Sequence, residues 1–213
     1  MFYRKYVKRA FDIVSSIICI FIFWPLMIVV SIWIKVISPE GPVLADIPDR
    51  VGKDKKPFRF YKFRSMYPNA HNLLKEDKEL YEKYLKNNYK LHADEDPRII
   101  KGGKFLRKSS IDEFPQFFNV LKGDMSLIGP RAYYFDEIRD QVGRFPEAAE
   151  YVDEVMKVKP GITGLWQVSG RSDIGFMDRV KLDAEYAKNV SLLYDLRIAL
   201  KTPYVVLIGK GSI

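Results

Sequence analysis

Hydrophobic and polar positions separate along this chain at one boundary, near residue 38. From Ile13 to Ile34 there are 22 residues without a charge, IVSSIICIFIFWPLMIVVSIWI. At about 1.5 Å per residue, a straight helix of that length just covers a bilayer core of about 30 Å. The run is too long for a secretory signal, and no small-residue cleavage site follows it. Arg4, Lys5, Lys8 and Arg9 precede it, and Lys35, Arg50, Lys53, Lys55 and Lys56 follow. Basic flanks are retained on the cytoplasmic side, so charge at both ends favours both staying there. Pro25, near the middle, deletes an intrahelical hydrogen bond, and Ser15, Ser16 and Ser31 offer hydroxyls to backbone groups so freed. A bent re-entrant helix and a straight span both satisfy this pattern.

After Ser38 the chain reads as a soluble domain. Pro39, Gly41, Pro42 and Pro48 predict an irregular passage. Phe58 to Met66 (FRFYKFRSM) alternates aromatic and basic residues and predicts a strand or extended segment. Leucine and tyrosine at helical intervals predict an exposed amphipathic helix over 70–90, with further helices over 103–122, 145–157 and 174–189. Pro160, Gly161 and Gly164 predict a loop, and Leu192 to Ile208 an apolar segment with scattered bases that could lie on a membrane surface.

Composition narrows the chemistry. A length of 213 residues suits one domain, and 14% aromatic residues exclude a disordered chain. The formal charge of +8 points to an anionic partner: nucleic acid, anionic lipid or a phosphorylated substrate. One cysteine, Cys19, and two histidines, His71 and His92, leave carboxylates, basic groups and oxygen-bound metal as the available chemistry.

Three clusters could carry it. Asp112-Glu113 follows Arg107-Lys108; paired carboxylates serve as nucleophile and partner, or bind Mg2+ through oxygen. The same residues also read as a helix start capped by Ser109 or Ser110. Gly123 to Arg131 (GDMSLIGPR) and Pro160 to Arg171 (PGITGLWQVSGR) combine glycines with arginine, and Trp166 and Gln167 suit a nucleotide or sugar.

Taken together, FYKFRSM (60–66), DPRIIKGGKFLRKSSIDEFPQFFN (96–119), VLKGDMSLIGPR (120–131) and PGITGLWQVSGR (160–171) closely resemble the signature of the bacterial sugar transferases, the monotopic polyprenyl-phosphate phosphoglycosyltransferases. The resemblance runs from about Lys5 to the C-terminus. It implies transfer of a sugar-1-phosphate from a UDP-sugar to polyprenyl (undecaprenyl) phosphate with release of UMP, at the start of bacterial glycoconjugate or exopolysaccharide synthesis. It implies Asp112 as nucleophile of a covalent aspartyl phosphosugar intermediate, and Asp112 as a ligand of the Mg2+ cofactor. Glu113 would position metal or nucleophile, and Arg107 would contact phosphate. Lys62, Arg64 and Arg131 would contact the diphosphate or lipid phosphate; Gln167 and Arg171 would contact substrate.

The fold so implied is α/β and predominantly α-helical. A re-entrant membrane hairpin over 1–38, broken at Pro25, would precede a cytoplasmic catalytic domain over 39–213 with interfacial amphipathic helices. The expected location is the cytoplasmic face of the bacterial inner membrane, with downstream glycosyltransferases as possible partners and no nucleic acid. The chain resembles the short members, without an extra N-terminal membrane domain, and LWQVSGR (165–171) resembles members using UDP-glucose or UDP-galactose. Three departures stand out: Trp24 where relatives often have serine, Ala132 where proline usually follows Gly-Pro-Arg, and an unusual Val43–Gly52 segment. A catalytically silent lipid-binding scaffold and a membrane-tethered nucleic-acid binder are the competing readings.

Overall fold

A computed structural model describes residues 3–87, 91–170 and 174–208. The uncharged run lies in helix α1, Lys8–Ile37, which continues through Pro25. At about 1.5 Å per residue it extends about 45 Å. Its outer surface is apolar: Ile17, Phe21, Ile22, Trp24, Val29 and Ile32 are all at least half exposed. Ser31 Oγ donates to the Met27 carbonyl at 2.7 Å, while Ser16 Oγ is buried with no partner among the described residues. The expected hydroxyl rescue at Pro25 is therefore confined to an ordinary back-bond one turn later.

Both ends of α1 are fixed to the same polar body. At the N-terminal end, Asp12 is buried and accepts from Ser126 Oγ at 2.8 Å and Leu127 N at 3.1 Å. Arg9 donates to the carbonyls of Val120 and Leu121, and Lys8 pairs with Asp195 at 2.7 Å. At the C-terminal end, Met27, Val30 and Ile34 pack against Phe63, Ile100 and Leu106. Here Arg64 is consumed. Its Nε donates to Pro42 O, and its two terminal nitrogens to Ser38 Oγ and Ser38 O. A buried guanidinium on the carbonyl end of a helix offsets the negative pole of the helix dipole and satisfies oxygens that would otherwise be orphaned. Arg64→Ala should therefore cost about 1–3 kcal/mol of stability, measured by chemical denaturation in detergent.

The segment expected as a strand over 58–66 is extended but barely paired. A two-residue antiparallel ladder joins β1, Arg50–Val51, to β2, Pro57–Phe58. Farther on, side chains and loops replace a partner strand. Asn119 Oδ1 accepts from Tyr61 N and its Nδ2 donates to Arg59 O, while Phe63 N donates to Asp112 O. The amphipathic region then forms two helices, α2, Ala70–Glu76, and α3, Lys78–Lys86, separated by Asp77, whose carboxylate caps α3 at Leu80 N. The end of the expected helix, 88–90, lies outside the described residues.

The helix expected over 103–122 is three pieces: α4, Gly103–Lys108; a 3-10 turn, Ile111–Glu113; and α5, Gln116–Lys122. Ser110, at φ 58°, turns the chain into the left-handed region, and Pro115 cannot donate to a continuing helix. Neither Ser109 nor Ser110 caps the turn with its side chain; Ser109 Oγ bonds back to Phe105 O.

Short parallel strands β3, Ser126–Ile128, and β4, Gly161–Thr163, tie the two glycine-bearing motifs together. Helices α6, Phe135–Arg144, and α7, Ala148–Val155, follow β3. After β4 come α8, Leu165–Ser169, α9, Phe176–Lys188, and α10, Leu192–Ile208. Facing residues of α7 and α9, Val152, Val155, Val180 and Ala184, bury a core with Tyr133 and Phe176. Leu193, Leu200 and Tyr204 leave α10 with an exposed apolar face, as its composition led us to expect.

Glycines of these two motifs meet where the strands adjoin. A Cβ on Gly161 would lie 2.1 Å from Gly129 N, and one on Gly164 2.0 Å from Gly129 O. They let two backbones cross in contact, a requirement only glycine meets.

Candidate active site

Asp112 lies on the 3-10 turn and is almost completely buried. It opens onto a cavity of about 530 Å³, lined by Lys62, Arg107, Glu113, Gln116, Arg131 and Trp166 among others. Lys62 Nζ stands 2.8 Å from Asp112 Oδ2 and 3.5 Å from Glu113 Oε1. Although so close to the ammonium, Asp112 Oδ2 accepts no well-directed hydrogen bond among the described residues. Burial pushes the Asp112 carboxyl above the ordinary aspartate range, the Lys62 charge pulls it back, and Glu113 adds to the rise. For Lys62, burial disfavours the ammonium, but Asp112 and Glu113 together outweigh it and hold the group above the usual lysine value. The pair is therefore a lysine held charged against a carboxylate poised to change partner.

Lys62 is placed by its neighbours in the chain. Tyr61 N is held by Asn119 and Phe63 N by Asp112 O, so the lysine backbone is clamped to the elements carrying the nucleophile candidate. Asn119 was missed by sequence reasoning. A signal existed: two amides, Gln116 and Asn119, sit in the otherwise apolar run FPQFFN, and a buried amide needs partners.

On the opposite loop, Arg131 stacks over the Trp166 ring at 5.3 Å and lies 3.9 Å from Glu137. Glu137, itself buried, also pairs with buried Arg179 at 3.0 Å. Below them, Asp183 accepts from Arg131 N at 3.1 Å and Tyr133 Oη at 2.8 Å, fixing the arginine's backbone. Burial raises the Asp183 carboxyl to about 7, against the pull of Tyr133 and the Arg131 amide. A folded chain that keeps a proton the unfolded chain releases near pH 4 has this stability in full below that pH, and loses it as pH climbs to 7. Asp183→Asn should therefore gain on the wild type in denaturation measurements as pH rises from about 4 to 7.

Six buried polar atoms on the cavity's lining residues have no well-directed hydrogen-bond partner among the described residues: Arg50 Nε, Asp112 Oδ2, Gln116 Nε2, Arg131 Nε, Trp166 Nε1 and Gln167 Oε1. Buried polar groups are rarely left unpaired, and several on one cavity mark a place built for a polar ligand.

The sequence-derived candidates thus divide. Asp112, Glu113, Lys62, Arg107, Arg131 and Gln167 converge on the cavity. Arg64 borders it, but its guanidinium is engaged by Ser38 and Pro42, which argues for a structural part. Arg171 lies outside the described residues. Ala132 packs against Phe58 and Phe60, and Val43, Leu44 and Ile47 pack on the cores, so these departures are accommodated locally.

No group of three or more potential metal-ligating His, Cys, Asp or Glu side chains exists among the described residues. A Mg2+ ion takes one or two carboxylates and completes its octahedron with phosphate oxygens and water. Asp112, whose Oδ2 pairs with Lys62, and the partly exposed Glu113 are the carboxylates that would hold it.

A buried carboxylate beside a lysine, in a cavity lined by arginines, suits an anionic ligand. The chain belongs to the bacterial sugar transferase family, whose pattern matches residues 3–209. It is 44% identical over 211 residues to the undecaprenyl-phosphate galactose phosphotransferase of Salmonella typhimurium, covering 98% of this chain and 42% of that protein. Against the UDP-glucose:undecaprenyl-phosphate glucose-1-phosphate transferase of Escherichia coli it is 33% identical, again covering 98% of this chain and 42% of the relative. The exopolysaccharide production protein ExoY of Sinorhizobium fredii is 36% identical, with 96% of this chain and 87% of that protein covered. The chain therefore spans about two-fifths of the first two relatives and most of the third.

Proposed function

We propose that this chain transfers a sugar-1-phosphate from a UDP-sugar to undecaprenyl phosphate and releases UMP, at the start of exopolysaccharide or related glycan assembly. The observation that carries the reading is Asp112: buried, beside Lys62, at the wall of a cavity whose lining polar atoms lack partners. The names of the relatives supply the substrate class.

In the first step an Asp112 carboxylate oxygen attacks the phosphorus that bears the sugar. The bond from that phosphorus to the bridging oxygen breaks, and UMP leaves with the electron pair. An oxygen of undecaprenyl phosphate then attacks the aspartyl phosphosugar at phosphorus, giving undecaprenyl diphosphosugar and regenerating the carboxylate. Two displacements through a covalent intermediate let one carboxylate serve two substrates in turn. Lys62 favours the ionised form of Asp112 against the burial that raises it, and Arg107 and Arg131 relieve the repulsion between carboxylate and diphosphate. Mg2+, when bound at Asp112 and Glu113, would add neutralisation of the phosphate charge.

The membrane arrangement follows the same logic. A helix with an apolar outer surface, anchored at both ends to one polar body, favours insertion from one face over a crossing, and we assign the body to the cytoplasmic face of the inner membrane. Pro25 would then be the bend of a re-entrant hairpin.

The decisive experiment measures UMP release from a panel of UDP-sugars by the detergent-solubilised chain, with Mg2+, with and without undecaprenyl phosphate. Release that depends on the lipid phosphate supports the reading. Folded protein that releases no UMP across the panel would sink it and favour the silent scaffold.

A further inference from the structure

Arg50 is a buried cation whose position in the cavity the foregoing mechanism does not use. It is 8% exposed, lines the same cavity as Asp112, and has no carboxylate within 4 Å among the described residues. Its Cζ sits 3.2 Å from the centroid of the Tyr134 ring and 5.1 Å from that of Phe60. Stacking of this kind fixes the plane of a guanidinium, so its N–H groups point outward in that plane. One of them, on Nη1, donates to the Ala132 carbonyl at 3.0 Å; Nε is buried and unpartnered. Arg64, buried to a similar degree, spends three nitrogens on protein oxygens, whereas Arg50 spends one. Burial disfavours the Arg50 charge and outweighs every neighbour: Tyr134 favours it, Arg131 disfavours it, and Glu137, which makes no ion pair with it, favours it from a distance. A buried charge held without a counter-ion is costly, and an anionic ligand removes the cost.

Its place along the cavity indicates which anion. Arg50 Nη1 donates to Ala132 O and Arg50 bridges to Tyr134, which places it on the loop that carries Arg131. The cavity thus has Lys62 against Asp112 at one place and Arg131 with Arg50 at another. Phosphoryl displacement is in line, so the leaving oxygen departs on the side opposite the attacking one.

We infer that Arg50, with Arg131, binds the phosphate of the departing nucleoside monophosphate. As the bond between the sugar-bearing phosphorus and the bridging oxygen breaks, the electron pair left on that oxygen is stabilised by the two guanidinium groups. The inference rests on the reading of Asp112 as nucleophile toward a UDP-sugar.

Binding of UMP and of uridine to the full chain in detergent, by calorimetry, tests it on the wild type, Arg50→Gln and Arg50→Lys. Loss of a charge-assisted contact should weaken UMP by about 10–100-fold in Arg50→Gln and leave uridine unchanged. Arg50→Lys, which keeps the charge but not the planar fork, should fall between. UMP affinity unchanged in either folded variant overturns the inference, and Arg50→Lys answers the question should Arg50→Gln fail to fold. The apparent KM for undecaprenyl phosphate should stay within about twofold. A rise there with UMP affinity intact would assign Arg50 to the lipid phosphate and also overturn it. Wild type that binds neither UMP nor UDP-sugar would instead defeat the uridine-nucleotide reading itself.

Discussion

Asp112→Asn should reduce sugar-phosphate transfer by at least about 10³-fold while leaving a folded, UMP-binding protein. The amide matches the carboxylate in shape but has neither its charge nor its nucleophilicity. The cost to stability is contained because Lys62 retains Glu113 at 3.5 Å and is a quarter exposed. Two measurements read the result: UMP release over time, and trapping of radiolabelled sugar phosphate on the protein when undecaprenyl phosphate is withheld. Both should vanish together. A variant that retains more than a few per cent of turnover would show that Asp112 is not the atom donor. A variant that loses turnover but still acquires label would place the nucleophile elsewhere.

The second large effect is on Lys62→Met. This substitution removes the charge that favours the ionised form of a buried carboxylate, so the Asp112 carboxyl, already raised by burial, should rise further. Only the ionised form attacks, so activity climbs with pH through that group's titration. In Lys62→Met the acid limb of the pH–rate profile should move to higher pH, and activity at neutral pH should fall about 10²-fold. Partial recovery at high pH separates this from a merely structural defect, which would lower the whole profile without moving it. A profile of unchanged shape would mean that Lys62 contacts substrate instead of tuning Asp112.

Much of this organisation was legible in the sequence, and the exceptions share a cause. The uncharged run could be read as one long apolar helix from the hydrophobic pattern alone, and the Asp-Glu pair could be singled out by its neighbours and does lie on the cavity. Where hydrogen-bond accounting decides the outcome, reading failed. Arg64 sits in a basic, aromatic stretch and looks like a phosphate ligand, yet the open carbonyls after Ile37 capture it. The helix anticipated over 103–122 has the right periodicity, but Ser110 and Pro115 break it into the turn that presents Asp112. Arg50 looked like a membrane flank, because nothing near it in sequence announces the stacking on Tyr134, 84 residues away. Likewise the glycines at 129, 161 and 164 reveal their purpose only when two distant loops meet.

The turn that carries Asp112 rests on α1. Ile111 and Phe114 flank the Asp112–Glu113 pair and pack into the cluster formed by Met27, Val30 and Ile34, and the Phe114 ring lies 4.6 Å from that of Phe23. Helix α1 thus also supports the Asp112 carboxylate, with no intervening layer to absorb a displacement. Solubilisation and catalysis become a single problem: a detergent or bilayer that seats α1 poorly should lower turnover before it unfolds the chain. Activity assayed across lipids of graded thickness would then behave as a gauge of how deeply the helix is seated.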